Sequence, residues 1–211
     1  MSTDSLPAFD DLPILEGLGL RHAWGVFGDD DQLGTINLLT PSRVRSALEQ
    51  VESGRVVNLT QTMTAFDPPF YGREPLQHSV YRVDRNYWDD RLDNFHLQGS
   101  THWDGLRHAQ AREFGLWGGM TDDSKLSSPG GPLGIEHWAQ HGIVGSGLLL
   151  DLVPILRAGD SKYDPFQSRS ITPDELDLAC VEQRVSLQTG DIVCIRTGWT
   201  ERYRSVVMPL G

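Results

Sequence analysis

The run Gly147-Leu148-Leu149-Leu150-Asp151-Leu152-Val153 constrains the fold more than any other part of the chain. Its apolar residues do not alternate with polar ones, the pattern of a strand buried on both faces, and it reads as the central strand of a sheet. Extended to Ile155 it is still interrupted by Asp151 and too short to cross a bilayer. A second mostly apolar strand, Ile192 to Arg196, follows the turn Thr189-Gly190-Asp191. Between the two, Thr172-Pro173-Asp174-Glu175 has the form of a capping box with proline at the first helical position, and Leu176, Ala179 and Cys180 share one face of the helix it opens. Strands separated by short helices predict an α/β fold.

Upstream, Thr40-Pro41 starts a helix whose Val44, Ala47, Leu48 and Val51 recur at helical spacing until Gly54, so one face of it is expected to be buried. Arg55 to Thr60 reads as a strand, Ala65 to Pro75 as a long loop, and Ser79 to Val83 and Asn94 to Gln98 as two more strands. Ile135 to His141 reads as a short helix stopped by Gly142. Trp24 to Leu39 holds three glycines and the acids Asp29, Asp30 and Asp31, which argue for a structured turn. It lacks the alternating oxygen ligands and closing glutamate of a calcium loop. The segment through Leu20 is polar and proline-punctuated and is expected to lie as an arm on another surface, giving a division into an arm (1–21) and one domain (22–211).

With 211 residues, 38% of them hydrophobic, the chain has enough apolar material for one domain with a substantial core. Eighteen Lys+Arg against 29 Asp+Glu give a formal charge of −11, which opposes broad binding to nucleic acid or anionic membranes. Two cysteines, Cys180 and Cys194, are too few for a disulfide framework and form no CxxC zinc pair. The first eleven residues show neither a basic nor an apolar region of a signal peptide, so a cytoplasmic location is expected.

Chemistry concentrates in His96-Leu97-Gln98-Gly99-Ser100-Thr101-His102-Trp103-Asp104-Gly105-Leu106-Arg107-His108, which carries three of the seven histidines. In extended chain His102 and Asp104 lie on one face, and His108 returns to that face if the chain turns into helix after Asp104. Two imidazoles and a carboxylate with room for water describe a catalytic divalent metal site; histidines that merely satisfy hydrogen bonds are the competing reading. A nucleophilic set of Ser100, His102 and Asp104 is weaker, because neighbours so close in sequence rarely reach triad geometry. His137 and His141 share a helical face beside Glu136, but the HExxH order is absent. His22 and His78 stand alone.

Several blocks in order resemble the cyclase family of metal-dependent hydrolases, to which bacterial kynurenine formamidase and isatin hydrolase belong. They are Trp24 to Leu39 with Thr40-Pro41, Gly99 to His108, Gly142-Ile143-Val144-Gly145 leading into Leu148 to Asp151, and Gly190-Asp191 leading into Arg196-Thr197-Gly198-Trp199. The resemblance implies a swivelling β/β/α fold, with a central mixed sheet and flanking helices, and hydrolysis at Zn2+ or Mn2+. In the family motif HxGTHxDxxxH, His102 and Asp104 match metal ligands, and His108 matches a histidine that either binds a second metal or moves protons. The first ligand position falls on Gln98, whose neutral amide oxygen suits harder ions such as manganese better than zinc. His96, two residues earlier in the candidate strand, would share Gln98's face. The family continues beyond the Arg-Thr-Gly-Trp block and supplies further ligands there, so relative to it the chain is expected to lack a C-terminal part.

The resemblance thus implies hydrolysis of a small amide, cyclic or aryl-formamide, at a metal held by His102, Asp104, Gln98 and His108, with His108 moving the proton. Trp103, Trp24 and Phe27 are candidates to contact a small-molecule substrate, and a homodimer or higher homo-oligomer is expected. A lactone or ester hydrolase on the same site, and a non-catalytic binding protein, are the alternatives.

Overall fold

The computed structural model describes residues 6–207 of the chain. They form two compact units: residues up to Gly34 together with Ser53–Gly142, and Thr35–Glu52 together with residues from Ile143 onward. Among the described residues are six helices and three two-stranded sheets, a mixed α/β architecture.

In the first unit the N-terminal segment folds back as a hairpin of β1 (Ile14–Leu15) and β2 (Leu20–Arg21), and Arg21 donates to the Leu12 carbonyl at 2.9 Å. Residues 1–5 of the expected arm lie outside the described residues. A longer antiparallel hairpin pairs β3 (Gln77–Arg82) with β4 (Trp88–Asp93), from Gln77↔Asp93 to Arg82↔Trp88. The unit's helices are the one-turn α2 (Asp123–Leu126), capped by Asp122, and α3 (Ile135–His141), closed by Gly142 at φ +77°.

In the second unit α1 (Pro41–Glu49) begins as its sequence predicts, with the Thr40 hydroxyl accepting from the Arg43 N–H and proline at N1. β5 (Gly147–Asp151) pairs in parallel with β6 (Ile192–Arg196). Parallel neighbours require a crossover, supplied here by α4 (Val153–Gly159) and α5 (Pro173–Gln183). α5 carries the predicted capping box, with both the Thr172 and the Glu175 bonds made. Leu152, Leu156 and Ala179 form a fully enclosed core, around which Ile155, Tyr163, Ile171 and Leu176 pack. The helix α6 (Trp199–Val207) follows β6 and buries Tyr203.

Four expectations are corrected. β5 is not buried on both faces: Leu150 is 1% exposed but Leu149 is 58% exposed, because among the described residues the strand has one neighbour and its helices cover one side. The face of α1 is only partly covered, with Leu48 and Val51 exposed. Arg55 to Thr60 is extended but unpaired among the described residues, its Val56 and Leu59 93% and 81% exposed; a strand's N–H and C=O groups need a ladder, and no described segment offers one to this run. Asn94 to Gln98 is likewise no strand: the chain leaves β4 at Asn94, whose φ is +57°, and closes a 3-10 turn at Leu97–Gly99.

Candidate functional site

The histidine-rich segment is held from both sides. Downstream of the unpaired 55–60 run, the Gln61 N–H donates to Thr101 Oγ1 at 3.0 Å, and Ser100 Oγ donates to the Thr62 carbonyl at 2.7 Å. These two bonds fix the Ser-Thr pair that precedes His102. They also commit the Ser100 proton to a backbone carbonyl, so the geometry offers no support for Ser100 as a nucleophile activated by His102.

On the other side, Gly105 lies against the start of α3: a side chain there would stand 3.5 Å from the Leu133 carbonyl oxygen and the Ile135 nitrogen. Trp103 meets Trp138 of α3 edge-on, with ring centroids 6.4 Å apart at 71°. α3 is in turn tied to the Trp24–Leu39 block. Gln32 Oε1 accepts from the Leu133 N–H at 2.6 Å, and its backbone carbonyl accepts from Trp138 Nε1 at 3.2 Å. Asp31 accepts from Leu33 and Gly34 N–H groups and from Trp117 Nε1 at 3.1 Å. The acidic turn is therefore a clamp, which the sequence shows only as three consecutive acids.

His102, Asp104 and His108 converge. His102 Nε2 lies 3.1 Å from Asp104 Oδ1, and His108 Nε2 lies 3.8 Å from Asp104 Oδ2. His102 Nδ1 is 2.6 Å from the Ser100 carbonyl oxygen. That oxygen can only accept, so Nδ1 carries the proton and a neutral ring presents its Nε2 lone pair to the carboxylate. Two lone pairs facing at this distance require a positive charge between or on them, either a proton on Nε2 or a cation held by both groups. The donor chemistry fits a divalent ion, since two donors each about 2.0–2.2 Å from a common zinc stand about this far apart.

The set is not a finished metal centre. Among the described residues no three His, Cys, Asp or Glu side chains are gathered so as to hold an ion. The Gln98 amide nitrogen, not its oxygen, stands 3.5 Å from Asp104 Oδ1, so ligation through Gln98 requires the amide to turn over. His96 caps the 3-10 turn and shares no strand face with Gln98, which removes the geometric reason for drawing it toward the ligands. Asp104 and His108 side chains are both 45% exposed.

The remaining candidates lie apart from this convergence. Trp24 packs on Gly119 and stacks obliquely with His22 at 4.7 Å, and Phe27 is half-buried in the same turn. His141 turns to the Gly142 carbonyl at the end of α3, so the His137 and His141 rings do not form a pair. His137 Nε2 is enclosed without a hydrogen-bond partner among the described residues. Neither that enclosure nor the Gln32 clamp has a local sequence signal, because both depend on distant segments.

No curated protein matches the chain. A solved structure titled "Crystal structure of a novel cyclase" superposes with a TM-score of 0.74 at 29% identity, covering 87% of this chain and 64% of that one. This chain thus spans somewhat under two thirds of that protein's length. No helix among the described residues is long and apolar enough to cross a membrane. The family described as "Putative cyclase" matches residues 57–209, a span that holds the whole histidine and aspartate cluster, and the chain belongs to the cyclase family.

Proposed function

We propose that this chain is a metal-dependent hydrolase that cleaves the C–N bond of a small amide, cyclic or aryl-formamide. The observation that carries the reading is the opposition of His102 Nε2 and Asp104 Oδ1 at 3.1 Å, with Nδ1 already committed to the Ser100 carbonyl. His102 and Asp104 would hold Zn2+ or Mn2+, joined by Gln98 once its amide has turned. A divalent ion supplies a Lewis acid for the scissile carbonyl and lowers the pKa of a bound water.

The chain's own residues do the rest. The Ser100 carbonyl holds the His102 ring in the tautomer that presents Nε2, as carbonyls behind metal-binding histidines commonly do. His108 Nε2, too far from Asp104 for a hydrogen bond and open to solvent, takes a proton from water and delivers it to the leaving nitrogen. Trp103, braced edge-on by Trp138, offers an apolar wall beside the two ligands for a small neutral or aromatic substrate. The proposal includes assembly as a homo-oligomer, which light scattering on the eluted protein checks.

Elemental analysis of protein purified without chelators tests the reading. Near-stoichiometric zinc or manganese that disappears in the His102→Ala, Asp104→Ala double variant supports it, and cyclic amides assayed beside lactones then identify the bond. No metal in the wild-type protein after supplementation refutes it.

A further inference from the structure

The second unit contains a cavity of about 500 Å³ lined by α4, the 161–165 loop, the end of β6 and the first turns of α6. Its volume is that of a small-molecule site, and it opens at the carboxyl ends of the parallel pair β5 and β6, where open α/β sheets commonly take ligands.

Four cations line it: Arg157, Lys162, Arg196 and Arg202. Arg196 is bound by both oxygens of Asp151 at 2.8 Å and by Glu201 at 2.9 Å. Arg202 reaches Asp164 at 3.4 Å and lies over the Phe166 ring. Arg157 and Lys162 have no carboxylate within ion-pair distance among the described residues; Asp160, which lies between them in sequence, accepts the Lys162 backbone N–H through Oδ1. Two carboxylates, Asp164 and Glu201, share the lining with these four cations in a chain whose formal charge is −11, and the two unmatched cations both line the one opening. Ser161 and Ser205 add hydroxyls, while Val153, Pro165 and the Tyr163 ring, pinned through its hydroxyl to the Thr197 carbonyl at 2.9 Å, add apolar surface.

We propose that this cavity binds a small organic acid, its carboxylate or phosphate group held between Arg157 and Lys162 and its apolar body against Tyr163 and Val153. The proposal is independent of the His102 and Asp104 cluster.

Calorimetric titration at fixed ionic strength tests it, with benzoate and inorganic phosphate as probes. At least one probe should bind saturably with a dissociation constant in the millimolar range or tighter. Binding should weaken at least tenfold both in Arg157→Gln, Lys162→Gln and in Ser161→Trp, which fills the opening without touching charge, and should survive in His102→Ala, Asp104→Ala. Binding of benzoate alone assigns the site to carboxylates on apolar bodies; binding of phosphate alone assigns it to phosphate. Absence of saturable binding, binding undiminished in both cavity variants, or loss in the His102, Asp104 variant overturns the proposal.

Discussion

Replacing Gln32 with alanine removes the only acceptor that the Leu133 N–H has among the described residues, a bond of 2.6 Å across 101 residues of sequence. Leu133 is 3% exposed and sits at φ +63°, a conformation that costs a leucine about 1–2 kcal/mol. Its buried side chain and the Gln32 bond together hold it there. Leaving the N–H unsatisfied costs about 1–3 kcal/mol. For a chain of this size that corresponds to a fall of roughly 2–12 °C in Tm, at about 2–4 °C per kcal/mol. Urea denaturation should show a lower midpoint, and amide exchange should speed first at Leu133 and through α3. Gln32→Glu keeps an acceptor for Leu133 but loses the amide N–H that Gln32 donates to the Asp30 carbonyl, so it should recover part of the loss. A midpoint change worth less than about 0.5 kcal/mol in Gln32→Ala, or equal losses in the two variants, would refute the clamp.

Other outcomes follow from the same contacts. Leu156→Ala empties part of the fully enclosed core and should cost about 2–5 kcal/mol, read as a shift in urea midpoint; a loss under 1 kcal/mol would mean that the site collapses around the smaller side chain. Glu175 is held below the usual carboxylate range by the Arg169 guanidinium and the Thr172 N–H. Its folded form therefore binds protons less readily than the unfolded chain, and the stability it contributes is present above about pH 4 and lost as pH falls below it. The stability gap between wild type and Glu175→Gln should narrow on acidification; a gap that does not narrow as pH falls contradicts the assignment. On the proposed function, His108→Ala should lower kcat about 10²–10⁴-fold with little change in KM, and unchanged turnover would remove its role.

The elements that the sequence makes legible are those whose signals are local. The capping box at Thr172 and the glycine after His141 each fix a helix end through bonds within a few residues, and both helices stand where those residues put them. Arg55 to Thr60 and Asn94 to Gln98 have strand-like composition, but a strand exists only where another strand offers its ladder, and no local pattern carries that information. The candidate site divides in the same way. The spacing from His102 to His108 brings two imidazoles to the Asp104 carboxylate, whereas the pinning of the Ser-Thr pair by Gln61 and Thr62, and of α3 by Gln32, spans about 40 and 100 residues. Only the folded chain reveals those partners.

The parallel ladder of β5 and β6 ends at Asp151 opposite Arg196, where a two-pronged ion pair closes it. This pair measures alignment. A slip of one residue would set Arg196 opposite Leu150 or the enclosed Leu152 and strand two opposite charges without each other. Gln183 of α5 checks the same point from a third direction, bonding both the N–H and the carbonyl of Asp151. Two apolar strands alone would tolerate several offsets; with Asp151, Arg196 and Gln183 at their ends, the crossover can close in only one.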